Sequence, residues 1–101
     1  MPNESAIEIW LIDDDDGHAL LVEESFEDAG LRNGFMRARD GSEGWKWLQD
    51  AEAGRRGKPG LILLDISMPG LDGFEILEGV KKSPQLRAIP VITLTSTDHP
   101  R

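Results

Sequence analysis

The sequence predicts an α/β fold in which a doubly wound parallel sheet carries helices on its faces. Four short apolar runs alternate with three segments of helical periodicity, in the order β-α-β-α-β-α-β along 101 residues. Alternation with short connections is typical of parallel strands joined by helical crossovers. A chain of this length suits a single domain, expected to span 1–101.

The predicted strands are the apolar segments at 7–12, near 35–39, at 61–65 and at 90–95. The first and third run almost without polar interruption, as in strands that are buried on both faces. Each of these two strands leads directly into an aspartate, at Asp13 and at Asp65.

The first predicted helix follows the acidic block and ends near Gly30, because glycine is common just after a helix. Asp15 or Asp16 caps its first turn, where negative charge is favourable. The predicted inward face consists of residues at helical spacing, namely His18, Leu21, Val22, Ser25, Phe26 and Ala29.

The second predicted helix covers about 42–53 and the third covers 74–82. The side chains expected to face inward are Trp45 and Leu48 in the second helix and Phe74, Leu77, Val80 and the stem of Lys81 in the third. Trp47 lies off the first pair and is expected to be partly exposed. Residues 51–60 form a polar, glycine-rich connector between the second helix and the third strand.

The composition argues against some classes of partner. The chain has 19 acidic and 11 basic residues, a formal net charge of -8. Nucleic acid and anionic lipid both attract basic patches, so neither a nucleic-acid nor a membrane partner is expected. No apolar run approaches the ~20 residues of a membrane helix. The absence of cysteine leaves no disulfide framework and fits a reducing, cytoplasmic compartment.

Carboxylates follow the first and third predicted strands. Ligands of open parallel sheets bind beyond the carboxyl ends of the strands, and neighbouring strands lie about 5 Å apart. If these strands are neighbours, Asp13, Asp14 and Asp65 converge, and a divalent cation relieves their repulsion. Oxygen ligands suit Mg²⁺. The alternative is a solvated turn, and capping alone accounts for Asp15 and Asp16, but solubility explains Asp65 poorly.

Thr95 closes the fourth predicted strand at the same edge of the sheet. Its hydroxyl can bond an oxyanion on Asp65; the alternative is a β-favouring threonine beside a turn. The two histidines, His18 and His99, lack ligand spacing and are interpreted as structural or surface residues.

Several motifs together resemble the receiver domain of two-component response regulators. They are "LIDDDD", "ARDGSEGWKWL", "LILLDISMPGLDGFEIL" and "IPVITLT", and the resemblance covers nearly all of 7–99. It implies a flavodoxin-like fold with strand order 2-1-3-4 for the strands present. The connector at 51–60 and "KKSPQLRAIPVITLTSTD" are similar to the stand-alone branch that partners phytochrome-like sensor kinases.

The resemblance also implies roles for individual residues. Asp65 matches the phosphoacceptor, which receives a phosphoryl group from a sensor histidine kinase or a phosphotransfer protein. Asp13 and Asp14 match the acidic pair that holds Mg²⁺ together with Asp65, and the backbone carbonyl of Ser67 matches a further ligand. Thr95 matches the switch hydroxyl. Such a domain is not a turnover enzyme beyond self-catalysed phosphotransfer and slow autodephosphorylation.

The sequence departs from the family pattern in a few places. Ser67 stands where asparagine or another polar residue is common, and Gly44 stands where alanine is usual and is expected to loosen the second helix. A receiver normally continues with a fifth strand that ends in a lysine and with further helices, so the domain is expected to be truncated. The fourth strand is then an exposed edge. We expect a fragment, a chain lacking its tail, or a form whose exposed fourth strand pairs with another copy in a homodimer.

Two functions remain open after this comparison. The first is a phosphorylation-dependent signalling switch, and the alternative is a receiver-like dimerisation or docking module that is not phosphorylated. An EF-hand is excluded because its alignment puts Ile12 at the first calcium ligand. A haloacid-dehalogenase phosphatase is disfavoured because Ser67 stands where that class needs an acid–base aspartate.

Overall fold

The computed structural model describes residues 8–30, 34–66 and 73–94. Its four strands form one parallel sheet in the order β2-β1-β3-β4, which confirms the predicted fold class and strand order. The strands are β1 (Ile9–Ile12), β2 (Phe35–Ala38), β3 (Leu61–Asp65) and β4 (Val91–Leu94).

Three helices connect the strands: α1 (Asp16–Asp28), α2 (Gly41–Glu52) and α3 (Gly73–Lys82). The Asp15 side chain caps α1 by accepting a hydrogen bond from the His18 backbone N–H at 2.9 Å. Asp40 caps α2 in the same way, accepting from the Glu43 N–H at 2.8 Å. Aspartate is favoured at both positions because its carboxylate satisfies an otherwise unpaired N–H of the first turn.

The two faces of the sheet bury different sets of apolar side chains, so β1 and β3 are apolar in nearly every position. One cluster joins the sheet to α2 and α3 and contains Trp10, Ile12, Leu48, Ile62, Leu64, Ile76 and Val80, among others. The other joins the sheet to α1 and contains Ile9, Leu11, Ala19 and Leu63. Among the described residues no helix has the length and apolar character of a membrane span.

The predicted inward face of α1 is only partly correct. Val22 and Phe26 pack against the sheet, but Leu21 is 63% exposed and Ala19 is the buried residue of the helix. Each helical residue turns the chain by about 100°, so Leu21 lies about 200° from Ala19. With Ala19 against the strands, Leu21 therefore faces away from them.

The prediction for α3 is wrong at Phe74, which is 58% exposed. Val80 is fully buried against the sheet, as predicted, together with Ile76 four residues earlier, which was not predicted; Lys81 is exposed. Phe74 precedes Ile76 by two residues and so lies on the opposite side of the helix. Leu77 is half-buried against the same cluster, as predicted.

Gly44 has a packing role that the sequence did not reveal. A Cβ atom at this position would lie 2.7 Å from Cδ1 of Ile12, closer than side-chain atoms normally approach. The glycine therefore lets α2 close onto β1. Trp47 of α2 is partly exposed, as predicted, and packs edge-on against Trp10 with ring centroids 5.5 Å apart.

Candidate metal centre

Two aspartates meet at the carboxyl edge of the sheet. Ile12 pairs with Leu64 in the register between β1 and β3, so Asp13 and Asp65, the next residues on each strand, adjoin. Both side chains are fully buried. The crevice beyond the strand ends is where parallel α/β sheets bind ligands, and the structure brings these two residues together there.

The electrostatics of this pair favour a cationic ligand. Burial raises the pKa of Asp13 above its usual value, and the charge of Asp65 and a hydrogen bond with it add to the rise. Two contacts oppose this rise in pKa: the Asp15 backbone N–H donates to Oδ1 of Asp13 at 2.9 Å, and His18 contacts Oδ2. Two buried carboxylates in contact cannot both ionise cheaply without a counter-charge.

His18, interpreted from the sequence as a structural or surface residue, belongs to the same cluster. Its Nδ1 contacts Oδ2 of Asp13, and one ligand atom each from Asp13, His18 and Asp65 lie within 4.8 Å of one another. His18 stands in the first turn of α1, three residues after its N-cap at Asp15. This position, close to the end of β1, is the sequence feature that could have indicated that His18 lies beside Asp13.

Arg37 also reaches this site and was missed entirely. From β2 its Nε and Nη2 donate to the backbone carbonyl of Asp13 at 3.1 and 2.9 Å. Its Nη1 donates to Oδ1 of Asp16 at 2.8 Å. One guanidinium thus joins the end of β1 to the start of α1. The sequence feature that could have indicated this contact is a charged residue inside a strand. Arg37 immediately precedes Ala38, which pairs with Ile12, the residue before Asp13.

The other predicted site residues are placed differently or fall outside the described residues. Asp14 is exposed and is not in the cluster of Asp13, His18 and Asp65. Ser67 and Thr95 lie outside the described residues. Asp15 caps α1, as predicted, whereas the Asp16 side chain forms an ion pair with Arg37 that capping does not account for.

The residues present fit a divalent cation. Two buried carboxylates supply oxygen ligands and a local excess of negative charge, as Mg²⁺ sites in proteins do. The imidazole of His18 adds a nitrogen donor at the rim of the same site.

A parallel sheet with helices on both faces and paired acids at the ends of its two central strands defines the class: a flavodoxin-like domain with an acidic site at the carboxyl edge of its sheet. The profile of the response regulator receiver domain matches residues 9–101. The chain belongs to the response regulator receiver domain family.

Curated relatives agree with this assignment. The probable methanogenesis regulatory protein FilR2 of Methanothrix harundinacea is 39% identical over 89 residues, covering 88% of this chain and 57% of FilR2. The response regulator Rcp1 of Synechocystis is 34% identical, covering 90% of this chain and 63% of Rcp1. The chain therefore spans less than two thirds of the length of these relatives.

Solved structures show the same fold. The bacteriophytochrome response regulator RtBRR superposes with a TM-score of 0.80 at 36% identity, over 90% of this chain and 57% of RtBRR. The Mn²⁺-bound form of Rcp1 gives 0.80 at 33% identity, over 92% of this chain and 68% of that one. The phosphorylated cyanobacterial phytochrome response regulator RcpA gives 0.79 at 31% identity, over 92% and 67%.

Proposed function

We propose that the chain is a phosphorylation-dependent switch whose Asp65 accepts a phosphoryl group from a sensor histidine kinase or a phosphotransfer protein. The observation that carries this proposal is the fully buried Asp65 carboxylate, which adjoins Asp13 at the carboxyl edge of the sheet. The similar structure of RcpA is that of a phosphorylated response regulator.

In the proposed reaction an Asp65 carboxylate oxygen forms a bond to phosphorus while the bond from phosphorus to the donor histidine nitrogen breaks. The electron pair of that bond stays on the imidazole, which then takes up a proton. Asp13, Asp14, Asp65 and the backbone carbonyl of Ser67 would hold Mg²⁺. When bound, Mg²⁺ supplies charge that offsets the repulsion between carboxylate and phosphoryl oxygens.

The readout of phosphorylation is assigned to Thr95, the proposed switch hydroxyl. Leu94 pairs with Asp65 in the register between β3 and β4, and Thr95 is the next residue of the chain. A phosphoryl group on Asp65 adds about two negative charges and three acceptor oxygens close to this point of the chain. A hydroxyl that moves to donate to them is a two-state response.

The test is phosphorylation by acetyl phosphate, a small phosphodonor, with Mg²⁺, followed by intact mass. Wild type should gain the mass of one phosphoryl group, and Asp65→Asn should gain none. Asp28→Asn, which changes an exposed aspartate at the end of α1, serves as the matched control and should behave as wild type. A gain that persists in Asp65→Asn would overturn the assignment.

A second candidate function is a dimerisation or docking module, which the exposure of β4 favours. Among the described residues β4 pairs only with β3, and Ile92 is 50% exposed. An unpaired edge with apolar side chains is a template for another strand. We propose a homodimer that pairs along β4, with or without phosphorylation.

Light scattering on a size-exclusion column tests the dimer. Ile92→Lys should shift the mass toward the monomer, because edge charges oppose strand pairing. Leu20→Lys, at an equally apolar and 55% exposed site on α1, should not. A monomer at every concentration of wild type would end the proposal.

We further propose that the 101 residues form one receiver domain acting in the cytoplasm. Its partners are proteins and not nucleic acid or a membrane, in keeping with the net charge of -8. Its chemistry is limited to its own phosphorylation and slow autodephosphorylation, without turnover of a separate substrate.

A further inference from the structure

We propose that His18 supplies a nitrogen ligand to the cation held by Asp13 and Asp65, and that this ligand shifts the preference of the site from Mg²⁺ toward first-row transition ions. The inference rests on the proposed metal role of the two aspartates. It adds a residue outside the acidic set inferred from the sequence, and it names the class of ion that this residue selects.

The first observation is the position of the imidazole. Nδ1 of His18 points at the pair and contacts Oδ2 of Asp13, while the side chain remains 26% exposed. The backbone holds it there, because the His18 N–H donates to the capping carboxylate of Asp15 at 2.9 Å. The ring therefore stands at the rim of the site, with one nitrogen inward.

The second observation is the size of the cluster. Ligand atoms of Asp13, His18 and Asp65 all lie within 4.8 Å of one another. Two ligands that bind one ion at ~2.1 Å can be separated by at most ~4.2 Å. The three atoms are therefore near the spacing of ligands to one ion, and the direct contact between His18 Nδ1 and Asp13 Oδ2 opens when the ion enters between them.

The chemistry of the donor determines which ion benefits. Mg²⁺ prefers oxygen ligands and retains water, so an imidazole adds little to its binding. Imidazole is a good ligand for divalent first-row transition ions, whose affinities for such sites rise from Mn²⁺ through Co²⁺ and Ni²⁺ to Cu²⁺ and then fall at Zn²⁺. Exchanging one oxygen position for His18 therefore raises the affinity for these ions relative to Mg²⁺.

The experiment compares Co²⁺ and Mg²⁺ binding by calorimetric titration in wild type and His18→Asn. The variant keeps the backbone N–H that Asp15 caps and a side chain able to hydrogen-bond Asp13. Loss of a direct ligand should weaken Co²⁺ binding by at least ~10-fold, and Mg²⁺ binding should change by less than ~3-fold. His99→Asn, the other histidine of the chain, is the matched control and should leave both affinities unchanged.

A spectroscopic readout separates ligation from a merely structural contact. In the Co²⁺ form, an imidazole bound to the paramagnetic ion gives strongly shifted proton resonances, which should be present in wild type and His99→Asn and absent in His18→Asn. Equal Co²⁺ selectivity in His18→Asn and wild type, or shifted imidazole signals that survive the substitution, would overturn the inference.

The same titrations distinguish this inference from the proposed function. If the cation binds equally well without His18 and Asp65 is still phosphorylated, the ligand role of His18 is refuted and the proposed switch stands. Binding through His18 without any phosphorylation of Asp65 supports the inference and refutes the switch. Failure of wild type to bind either ion refutes the metal role of Asp13 and Asp65, and with it the inference.

Discussion

Arg37 holds the backbone carbonyl of Asp13 with two hydrogen bonds, from Nε at 3.1 Å and from Nη2 at 2.9 Å. A guanidinium suits this task because its planar fork presents several donors at once. Since Arg37 also pairs with Asp16, it fixes the segment between β1 and α1 from outside that segment. The position of the Asp13 carboxylate therefore depends on a residue of a neighbouring strand.

Arg37→Met should lower the free energy of unfolding by about 1–3 kcal/mol, because a part-buried carbonyl loses its charged donors. Mg²⁺ affinity should fall as well, since Asp13 is then held less firmly. Urea unfolding and Mg²⁺ titration measure the two effects. Arg39→Met, two residues along at an exposed position, is the control and should change neither. An Arg37→Met protein as stable as the control would show that the clamp is unimportant.

Asp13→Asn should stabilise the metal-free protein at neutral pH. The folded state raises the pKa of Asp13 above the unfolded value of 3.8, mainly through burial. The folded form therefore binds a proton more readily, and stability falls as pH rises from the unfolded pKa through the folded one. Above both values the wild type carries the full cost of the buried charge, which asparagine avoids.

Urea unfolding in the presence of a chelator, from acidic to neutral pH, measures this difference. The gain from Asp13→Asn should be largest at neutral pH and shrink on acidification. Adding Mg²⁺ should stabilise wild type more than the variant, because ligand binding to the folded state adds to its stability. A variant that is less stable than wild type at neutral pH without metal would contradict the electrostatic account.

Gly44→Ala should destabilise the fold by about 1–3 kcal/mol, the usual cost of forcing a methyl group into a packed core. The added Cβ would lie 2.7 Å from Ile12 Cδ1, and two more Ile12 atoms would lie at 2.8 Å. Gly57→Ala, where nothing lies within 4 Å, should stay within about 0.5 kcal/mol of wild type. Thermal unfolding checks both variants.

The double variant Ile12→Ala with Gly44→Ala should be less destabilised than the sum of the two single variants, because Ile12→Ala removes all three side-chain atoms that the new methyl group would meet. The two substitutions should therefore be non-additive, as expected for residues in contact. If the two changes in stability simply add, α2 accommodates the new methyl group without using the space at Ile12.

The sheet and the meeting of Asp13 with Asp65 were predictable because both follow from short-range patterns. Apolar runs that are buried on two faces and joined by helices predict a parallel sheet. The residues that directly follow its strands all lie at the carboxyl edge of that sheet. The sequence predicted less well which face of each helix packs against the sheet. Leu21 and Ala19 both have suitable apolar side chains, and only the packing of α1 on the sheet decides which is buried.

The rest of the site was missed for a related reason. His18 and Arg37 reach the pocket from a helix and a neighbouring strand, and no local sequence pattern specifies that their side chains converge. The role of Gly44 likewise depends on its distance to Ile12, which lies on another element.

The most direct measurement of the central claim is the position of the phosphoryl group. Wild type treated with acetyl phosphate and Mg²⁺ would be reduced with borohydride, which converts an aspartyl phosphate to homoserine, and its peptides mapped by mass spectrometry. The account predicts homoserine at Asp65 alone, and none when a chelator replaces Mg²⁺. Homoserine at another aspartate, or the same yield at Asp65 without a divalent cation, would contradict it.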